Sequence, residues 1–358
     1  MNLNLEQLTE KAISLLKSLI ETPSFSSEED NTALLIENWF EEYGIDYKRS
    51  DNNIYAFNKY FDASKPSLLL NSHHDTVKPN AAYTRDPFSA DIQNGRLYGL
   101  GSNDAGGCLV SLIATFTYFY DNKDLNHNII IVASGEEESS GPNGLNSMLP
   151  KLPPIDVALV GEPTQMELAI AEKGLVVFDA TVNGTASHAA HPNEDNPIYK
   201  TIEVLDWFHN YKFEKVSETL GKTKLTVTQL NAGNQHNVVP AKVNMVLDVR
   251  VNDCYTNTEI AELLQAEAPC ELAPRSLRLN SSAIDKDHPL VQSGINLGRE
   301  TYGSPTLSDQ AALSCQSLKM GPGDSRRSHS ANEFIYISEI EEGIELYVKM
   351  LKGFLLQE

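Results

Sequence analysis

The sequence lacks the features that would place the chain in or across a membrane. No apolar run approaches the length of a transmembrane helix, and Met1–Glu6 has neither the basic region nor the apolar core of a secretory signal. Basic residues are also few, since 28 lysines and arginines stand against 49 aspartates and glutamates, for a formal net charge of −21. That charge repels phosphate backbones. We expect a cytoplasmic protein that binds neither nucleic acid nor membranes.

Cysteine is scarce, and its spacing excludes the usual paired motifs. The four cysteines lie far apart and none belongs to a C-x-x-C pair, as expected of isolated thiols in a reducing compartment. No motif around them indicates a catalytic cysteine. They are Cys108, Cys254, Cys270 and Cys315.

Apolar runs that alternate with a helical pattern predict the fold of the first half. The runs 67–71, 128–133 and 157–160 are typical of buried strands, and a helical pattern covers 109–118. Such alternation favours an α/β domain with a mainly parallel central sheet flanked by helices. In sheets of this kind, ligands bind at the carboxyl ends of the strands.

The pattern changes near residue 175. Strands and helices follow in the order strand, helix, strand, strand, helix, strand, closing near 277–283, which predicts a small α+β unit with an antiparallel sheet. Because this stretch contains none of the candidate metal ligands, we interpret 175–282 as an inserted domain. Residues 1–174 and 283–358 then form one catalytic domain.

Five short polar motifs each end a predicted strand or open a loop. Their candidate ligands are two imidazoles and three carboxylates, too many for one tetrahedral zinc ion but suited to two zinc ions that share a carboxylate. Two metal ions with room for water indicate a hydrolase. Taken singly, each motif also fits a polar strand end, a flexible turn or a solvated acidic loop. The candidate ligands are His73, Asp104, Glu138, Glu162 and His329.

Neighbouring carboxylates suggest supporting roles. Asp75 lies two positions after His73 on the same side of an extended segment, where it could accept the second N–H of the imidazole. Glu136, Glu137 and Glu138 are adjacent carboxylates, whose repulsion is costly near a core unless cations compensate it. One of them can bind a metal ion while its neighbour acts as general base.

Together these motifs resemble the di-zinc aminoacylase–carboxypeptidase family, which includes acetylornithine deacetylase, acetyl-lysine deacetylase, succinyl-diaminopimelate desuccinylase and glutamate carboxypeptidase. The likeness extends from Thr22-Pro23-Ser24 to the C-terminal helix. Three departures bear on substrate choice and leave the ligand set intact. Ser72 replaces the usual glycine before the first histidine, Asp104 lacks the lysine that follows it in many members, and 305–310 match only part of the usual Gly-Gly-Thr-Ser-Asp segment.

The resemblance implies a role for each ligand. One zinc ion would be held by His73 and Glu162, the other by Glu138 and His329. Asp104 would bridge the two ions, and a cis peptide would follow it. Cobalt or manganese can substitute for zinc in such sites.

The same resemblance implies residues for turnover and assembly. Glu137 would be the general base, and Asp75 would orient His73. The chain would form a homodimer through 175–282, and His188 would reach the partner subunit's active site to stabilise the oxyanion. The positions that match substrate contacts are Asn237, Arg250 and Gly323.

We therefore expect a zinc-dependent amidohydrolase, similar to acetylornithine deacetylase. Its substrate would be an N-acetyl or N-succinyl form of ornithine, citrulline or lysine, in arginine or lysine biosynthesis. The segment Gly321-Pro322-Gly323-Asp324-Ser325 favours this branch. Alternatives are a succinyl-diaminopimelate desuccinylase, a dipeptidase or carboxypeptidase, and more remotely a non-catalytic metal-binding receptor. The roles of Glu136 and His191 stay open.

Overall fold

The structure, a computed structural model, describes residues 4–356. Within this range no helix combines the length and the apolar character that a membrane span requires. Helical turns that are not α-helical cover Ser102–Gly106, Leu149–Lys151, Asp309–Ala312 and Ser325–Arg327. The α-helices are α1 (Leu5–Glu21), α2 (Asp30–Glu42), α3 (Gly107–Phe119), α4 (Leu145–Met148), α5 (Pro197–Asn210), α6 (Asn257–Glu267), α7 (Pro289–Asn296) and α8 (Ile337–Leu355).

Strands of very different length alternate with these helices. The strands are β1 (Tyr47–Ser50), β2 (Asn53–Phe57), β3 (Ser67–His73), β4 (Ile92–Gln93), β5 (Arg96–Tyr98), β6 (Asn128–Ser134), β7 (Val157–Val160), β8 (Leu168–Glu172), β9 (Gly174–Asn183), β10 (Ser187–His188), β11 (Val216–Ser217), β12 (Gly221–Lys222), β13 (Lys224–Ala232), β14 (Val238–Val239), β15 (Lys242–Val251), β16 (Glu271–Pro274), β17 (Ser282–Ala283), β18 (Thr301–Ser304), β19 (Gln316–Lys319) and β20 (Phe334–Tyr336).

The largest sheet has parallel strands at its centre. Its strand order is β1-β2-β6-β3-β7-β19-β8-β17, with β18 beside β8. Strand β3 pairs in parallel with β6 and β7, and β7 pairs in parallel with β19. The outer pairs β1–β2, β2–β6 and β19–β8 are antiparallel. The mainly parallel α/β sheet predicted from the apolar runs is confirmed.

Burial explains why these segments are continuous apolar runs. Every residue of β3, β6 and β7 is buried, as expected for strands covered on both faces. Helix α3 packs on β3 and against α1 and α8. Nearly all residues of α3 are buried, so its sequence has no polar face.

The carboxyl ends of the parallel strands meet at one edge of this sheet. Strand β3 ends at His73, β6 at Ser134 and β7 at Val160. The register pairs His73 with Ser134 and Asn71 with Val160. The loops that follow these strands therefore emerge side by side, at the edge where α/β sheets bind ligands.

The chain divides into two compact units, each with its own hydrophobic core. The larger unit contains the described residues up to Ile170, Ala283–Tyr302, and those from Ser308 onward. The smaller unit contains Ala171–Ser282 together with Gly303–Leu307.

The segment Gly303–Leu307 belongs to the smaller unit, whereas the sequence prediction assigned it to the catalytic domain. The backbone N–H of Lys173 donates to the carbonyl of Ser304 at 3.2 Å. A Cβ atom on residue 303 would lie 2.4 Å from the carbonyl oxygen of Thr219. These close contacts are with residues of the smaller unit, so the segment packs there.

The smaller unit is an antiparallel sheet with helices α5 and α6 packed on it. Its strand order is β13-β15-β9-β16, and alternate residues of β9 and β15 are buried, as in a sheet with one covered face. The predicted antiparallel α+β unit is confirmed. Its last strand, however, is β16, which pairs with Phe178–Thr181. Strand β17, within the predicted closing strand 277–283, joins the larger sheet instead.

Candidate metal centre

The five predicted ligands stand on separate elements of the larger unit that meet at the carboxyl edge of its sheet. The peptide bond between Asp104 and Ala105 is cis, as the resemblance implies. His73 ends β3, Asp104 lies in the turn before α3, Glu138 and Glu162 follow β6 and β7, and His329 follows the turn Ser325–Arg327.

Asp104 lies between two histidine–glutamate pairs. Its Oδ1 is 3.5 Å from Nε2 of His73, and its Oδ2 is 3.6 Å from Nε2 of His329. Oε1 of Glu162 lies 3.8 Å from the first imidazole nitrogen, and Oε2 of Glu138 lies 2.9 Å from the second. The structure therefore brings the predicted ligands together, in the pairs that the resemblance implies.

The first histidine has a ring nitrogen that needs a partner in this space. Nδ1 of His73 lies 3.0 Å from the carbonyl oxygen of Asp75 and 3.3 Å from its Oδ1. Nδ1–H therefore donates to Asp75, and Nε2 is the nitrogen that faces the other candidate ligands. Within residues 4–356, this Nε2 is buried and has no hydrogen-bond partner. Buried polar atoms are almost always satisfied, and a divalent cation here would satisfy this one. The residues fit a metal site.

Crowded charge favours cations at the same place. Burial and then the charge of Asp104 raise the pKa of Glu162 to about 8. Burial, reinforced by the charge of Glu162, raises the pKa of Glu137 well above its usual value. The hydrogen bond to Glu138 raises the pKa of His329 to about 9. Carboxylates this close repel one another, and divalent ions between them would offset that repulsion.

Asp75 connects the first histidine to the glutamate loop. Its Oδ1 accepts the backbone N–H of Glu137 at 3.0 Å. Its Oδ2 accepts the backbone N–H of Glu138 at 3.1 Å and the hydroxyl of Ser26 at 2.6 Å. Although burial raises it, the hydrogen bond to His73 holds the pKa of Asp75 below its usual range. Asp75 thus contacts the imidazole and also fixes the backbone that carries two glutamates.

The adjacent residues Glu136 and Glu137 make different contacts. The carboxylate of Glu136 accepts hydrogen bonds from the hydroxyl of Ser27 and from the backbone and side-chain N–H groups of Asn143. Glu136 therefore fixes the loop rather than joining the ligands. Oε2 of Glu137 lies 3.9 Å from Nε2 of His73, which places this carboxylate beside the candidate metal site.

Two further carboxylates near the site were not among the predicted residues. Asp309 accepts the hydroxyl of Ser134 at 2.6 Å, and burial raises the pKa of Asp309 to about 6. Glu333 accepts the backbone N–H of Asp104 at 2.9 Å, and burial, with the charge of Asp104, raises the pKa of Glu333 to about 8. One signal was available, because Glu333 is an acidic residue directly before the apolar strand β20, four positions after His329.

The predicted substrate residues of the smaller unit do not all lie together. His188 in β10 pairs with Val238, the residue after Asn237. Arg250 is eight positions along β15 from its start at Lys242, which is about 26 Å away at the rise of an extended strand. Its guanidinium donates to both carboxylate oxygens of Asp248, at 2.9 and 3.1 Å.

The remaining predicted residues have mainly structural contacts. Gly323 belongs to the larger unit and has φ of +94°, and a Cβ there would lie 2.5 Å from Oδ1 of Asn103. The close approach of these two segments requires a glycine. The ring of His191, whose role the sequence left open, lies 5.7 Å from that of His188 in the smaller unit.

Fold and site together define a class of protein. An α/β domain that gathers two histidines, three carboxylates and a further glutamate at the carboxyl edge of its strands is suited to metal-dependent hydrolysis. Residues 69–353 match the sequence profile of Peptidase family M20/M25/M40. The chain belongs to this family, and the prediction of a metal-dependent amidohydrolase is confirmed at that level.

Known proteins match along nearly the whole chain. The chain is 24% identical to succinyl-diaminopimelate desuccinylase of Cereibacter sphaeroides, over 96% of this chain and 98% of that one. It is 28% identical to the protein of the same name from Parvibaculum lavamentivorans, over 94% of this chain and 93% of that one. The solved YXEP protein of Bacillus subtilis, described as a dinuclear metal binding peptidase, has a TM-score of 0.73 at 16% identity, over 98% of each chain.

The raised pKa values predict that metal-free protein loses stability as pH increases from 5 to 9. Glu162 titrates at about 8 when folded against an ordinary 4.5, and His329 at about 9 against 6.5. The folded state thus holds protons that the unfolded state has released, so this stabilisation is complete below the ordinary pKa and disappears as pH rises through the folded one. Saturating divalent metal should then raise the melting temperature by about 5–10 °C at pH 8, and by much less at pH 5.5, because protons compete for the ligands.

Thermal scans of chelator-treated protein at both pH values, with and without Zn²⁺ or Mn²⁺, measure these shifts. The His329→Asn variant, which lacks one candidate ligand, serves as the control and should show a smaller shift at pH 8. An equal metal effect at the two pH values would contradict the linkage.

Proposed function

We propose that the protein hydrolyses the amide bond between an acyl group and the nitrogen of an amino acid, with two zinc ions as cofactors. The single observation that carries this proposal is the position of Asp104, whose oxygens lie 3.5 and 3.6 Å from the imidazoles of two different pairs. A carboxylate with one oxygen toward each pair can bridge two ions. One ion would be held by His73 and Glu162, and the other by Glu138 and His329.

When bound, the two cations would polarise the acyl carbonyl and lower the pKa of the attacking water. Glu137 is well placed to take the proton, because its Oε2 lies 3.9 Å from Nε2 of His73 and its backbone N–H is held by Asp75 at 3.0 Å. With the cations bound, the ionised carboxylate of Glu137 would remove a proton from the water as the water oxygen attacks the acyl carbon. It would then give that proton to the amine nitrogen as the C–N bond breaks, which leaves an amine and a carboxylic acid that loses its remaining proton to solvent at neutral pH.

Among acylated amino acids, N-succinyl-diaminopimelate is the substrate that the relatives favour. Two proteins named succinyl-diaminopimelate desuccinylase match at 24 and 28% identity over nearly the full length. This similarity supports a desuccinylase of lysine biosynthesis over the acetylornithine deacetylase-like activity that we expected from the sequence. The segment Gly321–Ser325 still favours the ornithine, citrulline or lysine derivatives, and these stay a second candidate group.

We further propose that the protein acts as a homodimer joined through the smaller unit, in the cytoplasm. Helix α5 exposes Tyr199 by 70% and Ile202 by 66%, and residues three apart lie on one helix face. Strand β13 is at the edge of its sheet, and its last five residues are exposed. Apolar side chains on a helix face and an open strand edge are both typical of interaction surfaces. In this dimer, His188 would stabilise the oxyanion in the site of the other subunit.

The substrate proposal is tested by amine release from a panel of N-succinyl and N-acetyl forms of diaminopimelate, ornithine, citrulline and lysine, together with several dipeptides. We expect zinc-loaded protein to turn over N-succinyl-diaminopimelate at the highest kcat/KM. Preference for an acylated ornithine or citrulline would instead assign arginine biosynthesis. Turnover of dipeptides alone would contradict a deacylase.

The matched control for this panel is Glu137→Gln, which keeps the size of the side chain but cannot accept the proton. We expect it to bind two metal ions like the wild type and to lose at least about 100-fold in kcat. Rates within a few-fold of the wild type would exclude Glu137 as the base.

The dimer proposal is tested by mixing two inactive variants, His188→Ala and Glu137→Gln, and allowing the subunits to reassort. If His188 acts across the dimer, each mixed dimer has one complete site, so a random mixture should regain about a quarter of wild-type activity. Differently sized tags verify that mixed dimers form. Mixed dimers without regained activity would exclude action across the interface, and a fully active monomer would exclude the dimer.

A further inference from the structure

The carboxylate of Glu333 is the meeting point of three backbone N–H groups from one loop. Its Oε1 accepts the N–H of Asn103 at 2.8 Å and that of Asp104 at 2.9 Å. Its Oε2 accepts the N–H of Gly101 at 3.2 Å. Glu333 is only 2% exposed, so these bonds are shielded from water. One side chain therefore fixes the backbone on both sides of residue 102.

The loop depends on such support because its backbone departs from a regular helix. Asp104 has φ of −120° and ψ of 100°, values outside the helical range. Gly101, which precedes the turn, is in the left-handed region at φ of +74°. The conformation of the Asp104 backbone thus depends on groups outside the turn, and Glu333 is one that holds this backbone directly.

The segment that contains Glu333 also contains a candidate ligand. His329 lies four positions before Glu333. Asp324, at the other end of this segment, also contacts the loop that carries Asp104. The side chain of Asn103 donates to the carbonyl of Asp324 at 3.1 Å and accepts its N–H at 3.0 Å. The backbone carbonyl of Glu333 accepts the N–H of Gly99 at 3.0 Å. Both ends of the segment 324–333 therefore contact the Asp104 loop, and His329 lies between these ends.

We propose that Glu333 is a positioning residue that holds Asp104 in its place between the two cations. It does so through the backbone of residues 101–104, while His329 on the same segment takes part in one of the two sites. Glu333 thereby fixes the spacing of the two metal positions without touching a cation. This inference rests on the proposed two-metal function.

The side chain of glutamate suits this task better than that of glutamine or alanine. Two oxygens with several lone pairs can accept three N–H groups, whereas the amide of glutamine has one oxygen acceptor and would turn an NH₂ group toward a donor. Glutamine can still serve Asn103 and Asp104 through its oxygen, so it should rescue the role in part, and alanine should not.

The test compares Glu333→Ala and Glu333→Gln with the wild type, using Co²⁺-substituted protein. Readouts are the visible absorption spectrum of the bound cobalt, the affinity for each of the two ions by titration, and the separate values of kcat and KM. For Glu333→Ala we expect about 10–100-fold weaker binding of one ion, a changed cobalt spectrum, and a fall in kcat of similar size with little change in KM. Glu333→Gln should lie between this variant and the wild type in every readout.

Asp156→Asn provides the matched control. Its carboxylate accepts the backbone N–H of Ser67 at 2.8 Å, at the start of β3, about 20 Å along the strand from His73. This variant should lose stability without a change in the cobalt spectrum or in metal affinity. If Glu333→Ala does not fold, Glu333→Gln, which is nearly the same size, carries the comparison.

Wild-type metal affinities and cobalt spectrum in both Glu333 variants would overturn the proposal, even if both were less stable. Failure of the underlying function would look different. In that case, the wild type would bind two ions and still turn over none of the acylated amino acids, while the effect of Glu333 on the cobalt spectrum would persist.

Discussion

The electrostatic constraint at the carboxyl edge of the parallel strands shapes the rest of this molecule. Four carboxylate side chains that face the two imidazoles are only 8–16% exposed. Ionised carboxylates lose hydration when they are buried and repel one another at short range. The arrangement is therefore stable in its ionised form only with cations between the groups. These side chains are Asp104, Glu137, Glu138 and Glu162.

A second set of carboxylates holds the loops in place and does not join the ligands. Asp75 accepts the backbone N–H groups of Glu137 and Glu138, two of the three glutamates that follow β6. Glu333 does the same for the turn that carries Asp104. Glu136 closes its own loop through Asn143. The ends of the strands bring the ligands to one edge of the sheet, and these hydrogen bonds set the orientation of the loops that carry them.

The fold and the ligand set were predictable because both depend on local pattern. Continuous apolar runs indicate buried parallel strands, and polar residues that follow such strands must meet at one edge. That reasoning located His73, Glu138 and Glu162 without knowledge of their distances. Asp104 and His329 do not follow apolar strands of this kind. They were candidates as polar residues of loops, and the family resemblance assigned their roles.

Other features were beyond the sequence for physical reasons. The position of Glu333 before β20 marks it as unusual but does not reveal its partners. These are backbone N–H groups 229 and 230 positions away, and backbone groups leave no trace in residue type. The last strand of the four-stranded sheet in the smaller unit is β16, a short segment that ends in Pro274. The sequence pattern had favoured the longer stretch 277–283 for this strand. Arg250 has a family-like position, but its pairing with Asp248 is visible only once the strand is built.

The most direct test of the account is anomalous diffraction from crystals grown with Zn²⁺, collected at and below the zinc absorption edge. The account predicts two zinc peaks at the carboxyl edge of the larger sheet, with one oxygen of Asp104 bound to each. His73 and Glu162 should coordinate one ion, and Glu138 and His329 the other. A single fully occupied ion, or two ions that do not share Asp104, would contradict the central claim.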